Sequence, residues 1–209
     1  MIAETLSIAA LALSTADVAS AEQRVGSAPA AGTRPRDVDR LGFLAPDFAK
    51  LQSGGYSGVV GLGLGYAAFD DVLNLTVLYG YVPRAVAGKH VHALSAAFSV
   101  RPFEIDLDPL RVLPLYAGAG VLHTWGSGYF LTLPERYSSG YYRPTGVHAS
   151  FHLGVELDWL PSSASWLERH GTFAELTVLE IFAGRYLRNP DSLGIHEVAS
   201  LALGYRAAF

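Results

Sequence analysis

At 209 residues the chain has the length of one domain, and single β-barrels reach this size. Half of it is hydrophobic but only 16% is charged, against about a quarter in soluble domains. No cysteine, a net charge of −4 and no basic run interleaved with aromatics exclude a disulfide framework, a thiolate metal site and a nucleic-acid groove, and no pattern requires a metal or a cofactor.

The chain opens on an apolar stretch, Leu6 to Ala16, followed by the small-x-small site Ala19-Ser20-Ala21. Together these predict a signal peptide over residues 1–21, although Met1 to Thr5 carries Glu4 and no Lys or Arg. Residues 22–37, rich in Ala, Gly and Pro, predict a flexible lead-in. Beyond them no apolar run reaches the roughly 18 residues of a transmembrane helix, so the excess apolarity is spread over short segments.

From Val38 onward the pattern has period two, with Gly and Pro clusters between runs. The first predicted strand is Val38 to Phe48, shortened by Pro46. Tyr56 to Phe69 follows, with Val60, Leu62, Leu64 and Tyr66 against Gly61, Gly63 and Gly65. Val72 to Val82 sets Leu73, Leu75, Val77, Tyr79 and Tyr81 against Asn74, Thr76, Leu78 and Gly80. His90 to Arg101 and Leu113 to Trp125 alternate less sharply. Val147 to Trp159 is the cleanest: its odd positions are all apolar, and its even positions are His148, Ser150, His152, Gly154, Glu156 and Asp158. Phe173 to Arg185 is less regular, because Glu175 and Glu180 fall on opposite parities. The last strand places Ala199, Leu201, Leu203, Tyr205 and Ala207 on one side, with Ser200, Ala202, Gly204, Arg206 and Ala208 on the other.

A strand with unlike faces meets two different surroundings. If the apolar face pointed inward, as in a lipocalin, the other face would be dense in Lys, Glu, Thr and Gln. Here it is mostly Gly, Ala and Ser with a few charges, a composition suited to the cramped interior of an eight-stranded barrel. Aromatics at the ends of the apolar face (Tyr66, Tyr79, Tyr81, Trp159, Phe209) match girdles at two membrane interfaces. The connections also alternate between two ends. One end holds Asp70-Asp71, Pro102 to Leu110 and Leu160 to His170. The other holds Leu51 to Gly55, Pro83 to Lys89, Gly126 to Gly146 and Arg188 to Gly194, and includes the longest.

Phe209, with apolar residues at alternate positions before it, resembles the C-terminal signature of bacterial outer-membrane barrels. The strand count is similar to that of the small eight-stranded class with OmpA-like and OmpX-like architecture. The resemblance covers residues 38–209 in architecture and implies an all-β, closed, antiparallel up-and-down transmembrane β-barrel of about eight strands. It also implies residence in the bacterial outer membrane, contact with outer-membrane lipid, and recognition of the Phe209 strand by the barrel-assembly machinery. A monomer is expected.

The residues that carry chemistry gather on one face. His148, Ser150, His152 and Glu156 share a strand face, and Glu180 and Arg206 supply charge partners for a polar lumen network. His148-Ala149-Ser150 also resembles the His-x-Ser-Asn motif of outer-membrane lipid A deacylases. Phe151 stands where that motif has Asn, and same-face neighbours on a strand lie about 7 Å apart, so no catalytic residue is assigned. His90 and His92 are same-face neighbours that would need a third ligand to hold a metal. Gly61 to Gly65 lacks the spacing and the following helix of a phosphate loop. The loop Gly126 to Gly146 carries Tyr129, Phe130, Arg136, Tyr137, Tyr141, Tyr142 and Arg143, the composition of a recognition surface or of a loop seated among lipid headgroups. The reading that follows is a non-enzymatic outer-membrane barrel with a narrow or plugged lumen and a structural or surface-interaction role. A lipid A-modifying, deacylase-like enzyme and a soluble lipocalin-like binder of an apolar ligand are the alternatives.

Overall fold

The computed structural model describes residues 45–132, 134–135, 144–161, 166–191 and 194–209. The strands are β1 (Phe48–Gly54), β2 (Val60–Ala68), β3 (Leu73–Val82), β4 (Val91–Val100), β5 (Ile105–Leu107), β6 (Leu110–Gly126), β7 (Val147–Trp159), β8 (Arg169–Leu179) and β9 (Ala199–Ala208). The helices among the described residues are α1 (Arg84–Ala87), α2 (Glu180–Arg188) and α3 (Ile195–Val198). Successive strands pair antiparallel, β4 pairs with β6, and β1 pairs with β9, which closes an eight-stranded barrel. The short β5 lies outside that ring and pairs with the start of β6.

The pairing register is staggered. One row runs Tyr205, Leu51, Leu62, Tyr79, Leu94, His123 across six strands. It starts near the inner end, where β1 begins and β9 finishes, and ends near the opposite rim. This climb is the shear that lets tilted strands close. Pro114 sits where the β6–β7 register shifts between Leu113 and Tyr116, because proline cannot donate to the ladder and confines itself to such bulges.

The two faces are inverted relative to a water-soluble barrel. Leu62 is 61% exposed and Leu203 57%, while Arg206 is 4% exposed and Asp158 1%. The interior is therefore polar, and the lipocalin-like alternative, which needs an apolar cup, is corrected. Among the described residues no helix is long and apolar enough to cross a membrane.

The glycines explain how an interior this narrow holds large rings. Phe48 pairs with Gly65, Tyr116 with Gly154, His152 with Gly118 and Phe173 with Gly204. A methyl group on any of these glycines would overlap the ring opposite it. Each large side chain lies flat across a residue that has none, so the lumen fills without forcing rotamers.

Four boundaries differ from the sequence expectation. The first strand is Phe48–Gly54, not Val38 to Phe48, and it runs through the segment expected to be the loop Leu51 to Gly55. Residues 38–44 lie outside the described ones. Its pattern is faint because Phe48 points inward while the outward Ala49 is small. The strand expected over Phe173 to Arg185 starts earlier, at Arg169, and stops at Leu179, because Glu180 opens α2. The connection expected over Leu160 to His170 is shorter by the same shift. The connection Pro102 to Leu110 contains the β5–β6 hairpin.

Candidate functional site

The lumen divides into three levels. At the inner end, the β2–β3 turn carries Phe69, Asp70 and Asp71 with φ of 55°, 54° and 70°. Left-handed backbone costs a non-glycine residue about 1–2 kcal/mol, and here it turns the Asp71 carboxylate back under the barrel. Asp71 ion-pairs with Arg206 at 2.7 Å, with Arg169 at 2.7 Å and with Arg101. Burial pushes this carboxyl up, but the bonded Arg206 and the charges of Arg101 and Arg169 outweigh that and hold it well below the usual carboxylate range. Arg206 also donates to Asn74 Oδ1 at 2.9 Å and to Glu156 at 3.2 Å, and Arg101 meets Glu156 at 2.6 Å. Asp158 lies 3.9 Å from Arg169, and Arg111 pairs with Glu104. The Arg206 guanidinium sits 4.0 Å above the Phe48 ring.

At mid-height, Lys50 and the Tyr116 hydroxyl both donate to Glu175 at 3.0 Å. The Ser99 hydroxyl and His152 Nε2 are 2.8 Å apart. Between this level and the one below lies a cavity of about 20 Å³, bounded by Thr76, Ser99, Tyr116 and Arg206, which is space for about one water.

At the outer mouth the filling turns apolar. Ile181 and Phe182 of α2 and Tyr56 pack on Ala93, Leu122 and Leu179. Tyr56 stacks on Phe182 at 5.8 Å, and its hydroxyl donates to the Val198 carbonyl at 2.8 Å. Burial raises the Tyr56 phenol. Beside this plug, His148 Nδ1 is 3.0 Å from Glu180.

The six lumen residues singled out from the sequence thus occupy different levels. Glu156 and Arg206 meet in the inner cluster, and His148 meets Glu180 at the outer mouth. His152 binds Ser99 between them, and Ser150 is buried without bonding to either histidine. Ser150 faces the lumen and not the outer surface, so the His148–Ser150 spacing does not make the serine–histidine pair that the deacylase motif suggested. Among the described residues no group of three His, Asp or Glu is placed to hold a metal. Sequence reasoning did not pick out Asp71, Arg111 or Arg169, which fell in or beside expected connections, nor Asn74 and Arg101, which lay on expected strands with no partner in view, nor Lys50, which lay next to an expected loop. The signal that could have found them was Asp158, which stands on the same inward face as Glu156 with Arg206 as the one inward cation assigned to both.

In the loop between β6 and β7, Tyr129 lies 5.2 Å from the Lys89 ammonium. Phe130 accepts backbone bonds from Thr145 and Gly146 at 3.1 and 3.0 Å, which stitch the loop's base. Arg136, Tyr137, Tyr141, Tyr142 and Arg143 lie outside the described residues.

No protein-family model and no curated protein matches the chain. Among solved structures it is similar to the N-terminal β-barrel domain of Pseudomonas aeruginosa OprF, with 17% identity and a TM-score of 0.39, over 78% of this chain and 98% of that one. The architecture is read from this chain's own strand pairing: an all-β, closed, antiparallel up-and-down barrel of eight strands.

Proposed function

We propose that the protein is an outer-membrane β-barrel with a closed lumen, serving a structural or surface-interaction role and catalysing no reaction. The observation that carries this reading is the inverted polarity. Burying a leucine-sized side chain is worth about 1.5–3 kcal/mol, and this surface leaves Leu62, Leu64, Phe151, Leu153, Leu201 and Leu203 all exposed together. A hydrocarbon surround makes such a surface stable. At about 3.3 Å per residue and a tilt of about 40°, the 13 residues of β7 span about 30 Å, the thickness of a bilayer's hydrocarbon core. Aromatics mark both ends of that span. Trp159 stacks on His170 and Trp166 on Phe209 at the inner end, and Tyr79, Tyr81 and Trp125 cluster at the outer end. In lipid every backbone group needs a partner, and the closed ladder supplies it.

In this reading residues 1–21 direct export, the inner end faces the periplasm, and β9 with Phe209 is the segment the assembly machinery engages. The barrel works as a monomer, and the loop over residues 126–146 supplies the interaction surface. Cell fractionation with gel electrophoresis before and after heating tests the proposal. The protein should enter the outer-membrane fraction and migrate faster unheated than heated. Solubility without detergent would overturn it.

A further inference from the structure

On the outer surface near the outer rim, β3, β4 and β6 carry a continuous patch of phenol, imidazole and indole rings. Tyr81, His92 and Trp125 share one register row. His92 stacks on Trp125 at 5.7 Å and His90 on Tyr81 at 5.8 Å. The Tyr79 hydroxyl lies 2.6 Å from His92 Nδ1, and the Tyr81 hydroxyl 2.5 Å from His90 Nδ1. In either tautomer each phenol–imidazole pair keeps one donor free, the Nε2–H when the phenol donates to Nδ1 and the phenol O–H when Nδ1–H donates to it. His123 is the Nδ1–H tautomer, because its Nδ1 donates to the Gly146 carbonyl at 2.9 Å. Lys89, bonded to the Ser127 carbonyl, adds an ammonium at the rim. Among the described residues no carboxylate pairs with Lys89, His90 or His92.

An independent feature meets this patch. An apolar groove of about 530 Å³ crosses the outer surface from Tyr205 past Leu51, Leu62 and Leu64 to Leu94 and Tyr79. It is hollow because Ala49 and Ala207 stand side by side where neighbouring positions carry Leu or Tyr. It follows the staggered row upward and ends on Tyr79, the residue bonded to His92. An apolar trough that finishes on hydrogen-bond donors and an ammonium at the interface matches the two halves of one amphiphile.

The geometry points to a specific site for a phosphorylated lipid, with an acyl chain in the groove and the phosphate at His90, His92 and Lys89. The site rests on the membrane reading above. Its test uses the full-length protein refolded into phosphatidylcholine vesicles, with spin-labelled phosphatidic acid and spin-labelled phosphatidylcholine compared by electron spin resonance. The motionally restricted fraction should favour phosphatidic acid by about tenfold or more, the size expected of a hydrogen bond to a charged group. His90→Phe with His92→Phe, which keeps the rings and removes the N–H donors, should abolish the preference. Ala49→Phe, which fills the groove and leaves the rings alone, should lower it. Equal partition by the unaltered protein overturns the site, as does a preference that survives both variants. Millimolar inorganic phosphate should leave the preference intact; loss of it would assign the patch to free phosphate and remove the lipid. If the histidine variant fails to fold, Ala49→Phe still decides. Protein that does not float with the vesicles would refute the membrane reading, whereas flotation without preference refutes this site alone.

Discussion

Replacing Asp71 by Asn should destabilise the barrel by about 3–5 kcal/mol, the cost of leaving a buried partner charge uncompensated. Asp71 is 3% exposed and is shared by Arg101, Arg169 and Arg206. The inner cluster as a whole sets four guanidiniums (Arg101, Arg111, Arg169, Arg206) against four carboxylates (Asp71, Glu104, Glu156, Asp158). In the Asp71→Asn variant, Arg101 and Arg206 keep Glu156 alone as an ion-pair partner among the described residues, and a net positive charge stays inside. Arg169→Gln provides the contrast. Its side chain is 19% exposed at the rim, Asp71 keeps two cations without it, and its approach to the buried Asp158 is a long 3.9 Å, so the loss should be about 1–2 kcal/mol, above that of a partly exposed pair but below that of Asp71→Asn. Combining Asp71→Asn with Arg206→Met restores charge balance and should recover a measurable part of the loss. Urea titration in detergent or vesicles, read by the mobility shift of the folded barrel, measures all three. An Asp71→Asn cost no larger than that of Arg169→Gln would refute the assignment of Asp71 as the centre of the cluster.

Gly154→Ala should cost about 1–3 kcal/mol in the same titration, because its methyl meets the Tyr116 ring. Gly63→Ala, whose nearest neighbours lie at 3.1 to 3.3 Å, should cost less. Stability should also fall in acid. Since the folded Asp71 carboxyl is depressed, its contribution is whole above the unfolded value of about 3.9 and is lost as pH falls below it; Asp71→Asn should flatten that limb of a pH–stability curve. Planar-bilayer recordings should show no steady openings, and sustained single-channel current would contradict the filled lumen. Mass spectrometry of lipid A from cells with the protein, without it, and with Ser150→Ala should give one and the same profile.

The limits of β7 were legible to the residue because every odd position is apolar and every even one is polar or glycine. That contrast records two unlike surroundings, and a strand with an apolar outer face and a polar lumen face cannot conceal it. β1 was misplaced for the opposite reason: an inward Phe48 beside an outward Ala49 reverses the size contrast, and Phe48 makes sense only once Gly65 is known to lie opposite it. The far end of β8 failed where alternation failed, since Glu180 broke parity by starting a helix. Glu156 and Arg206 could be placed on the inner face from parity, but their partner Asp71 could not. Its inward turn depends on three consecutive left-handed residues, and backbone of that kind leaves no periodic trace.

The seam between β1 and β9 has a consequence for how the barrel comes into being. Until Phe48–Gly54 meets Ala202–Ala208, each of these strands presents a row of unpaired amides and carbonyls, and each such group costs several kcal/mol in hydrocarbon. In the membrane setting proposed above, a half-built sheet therefore has two edges that lipid does not accept, and the residues that must join are among the most distant in the chain. Under that proposal, insertion and closure would go together, or a temporary strand from another protein would stand in at the gap until the last hydrogen bond is made.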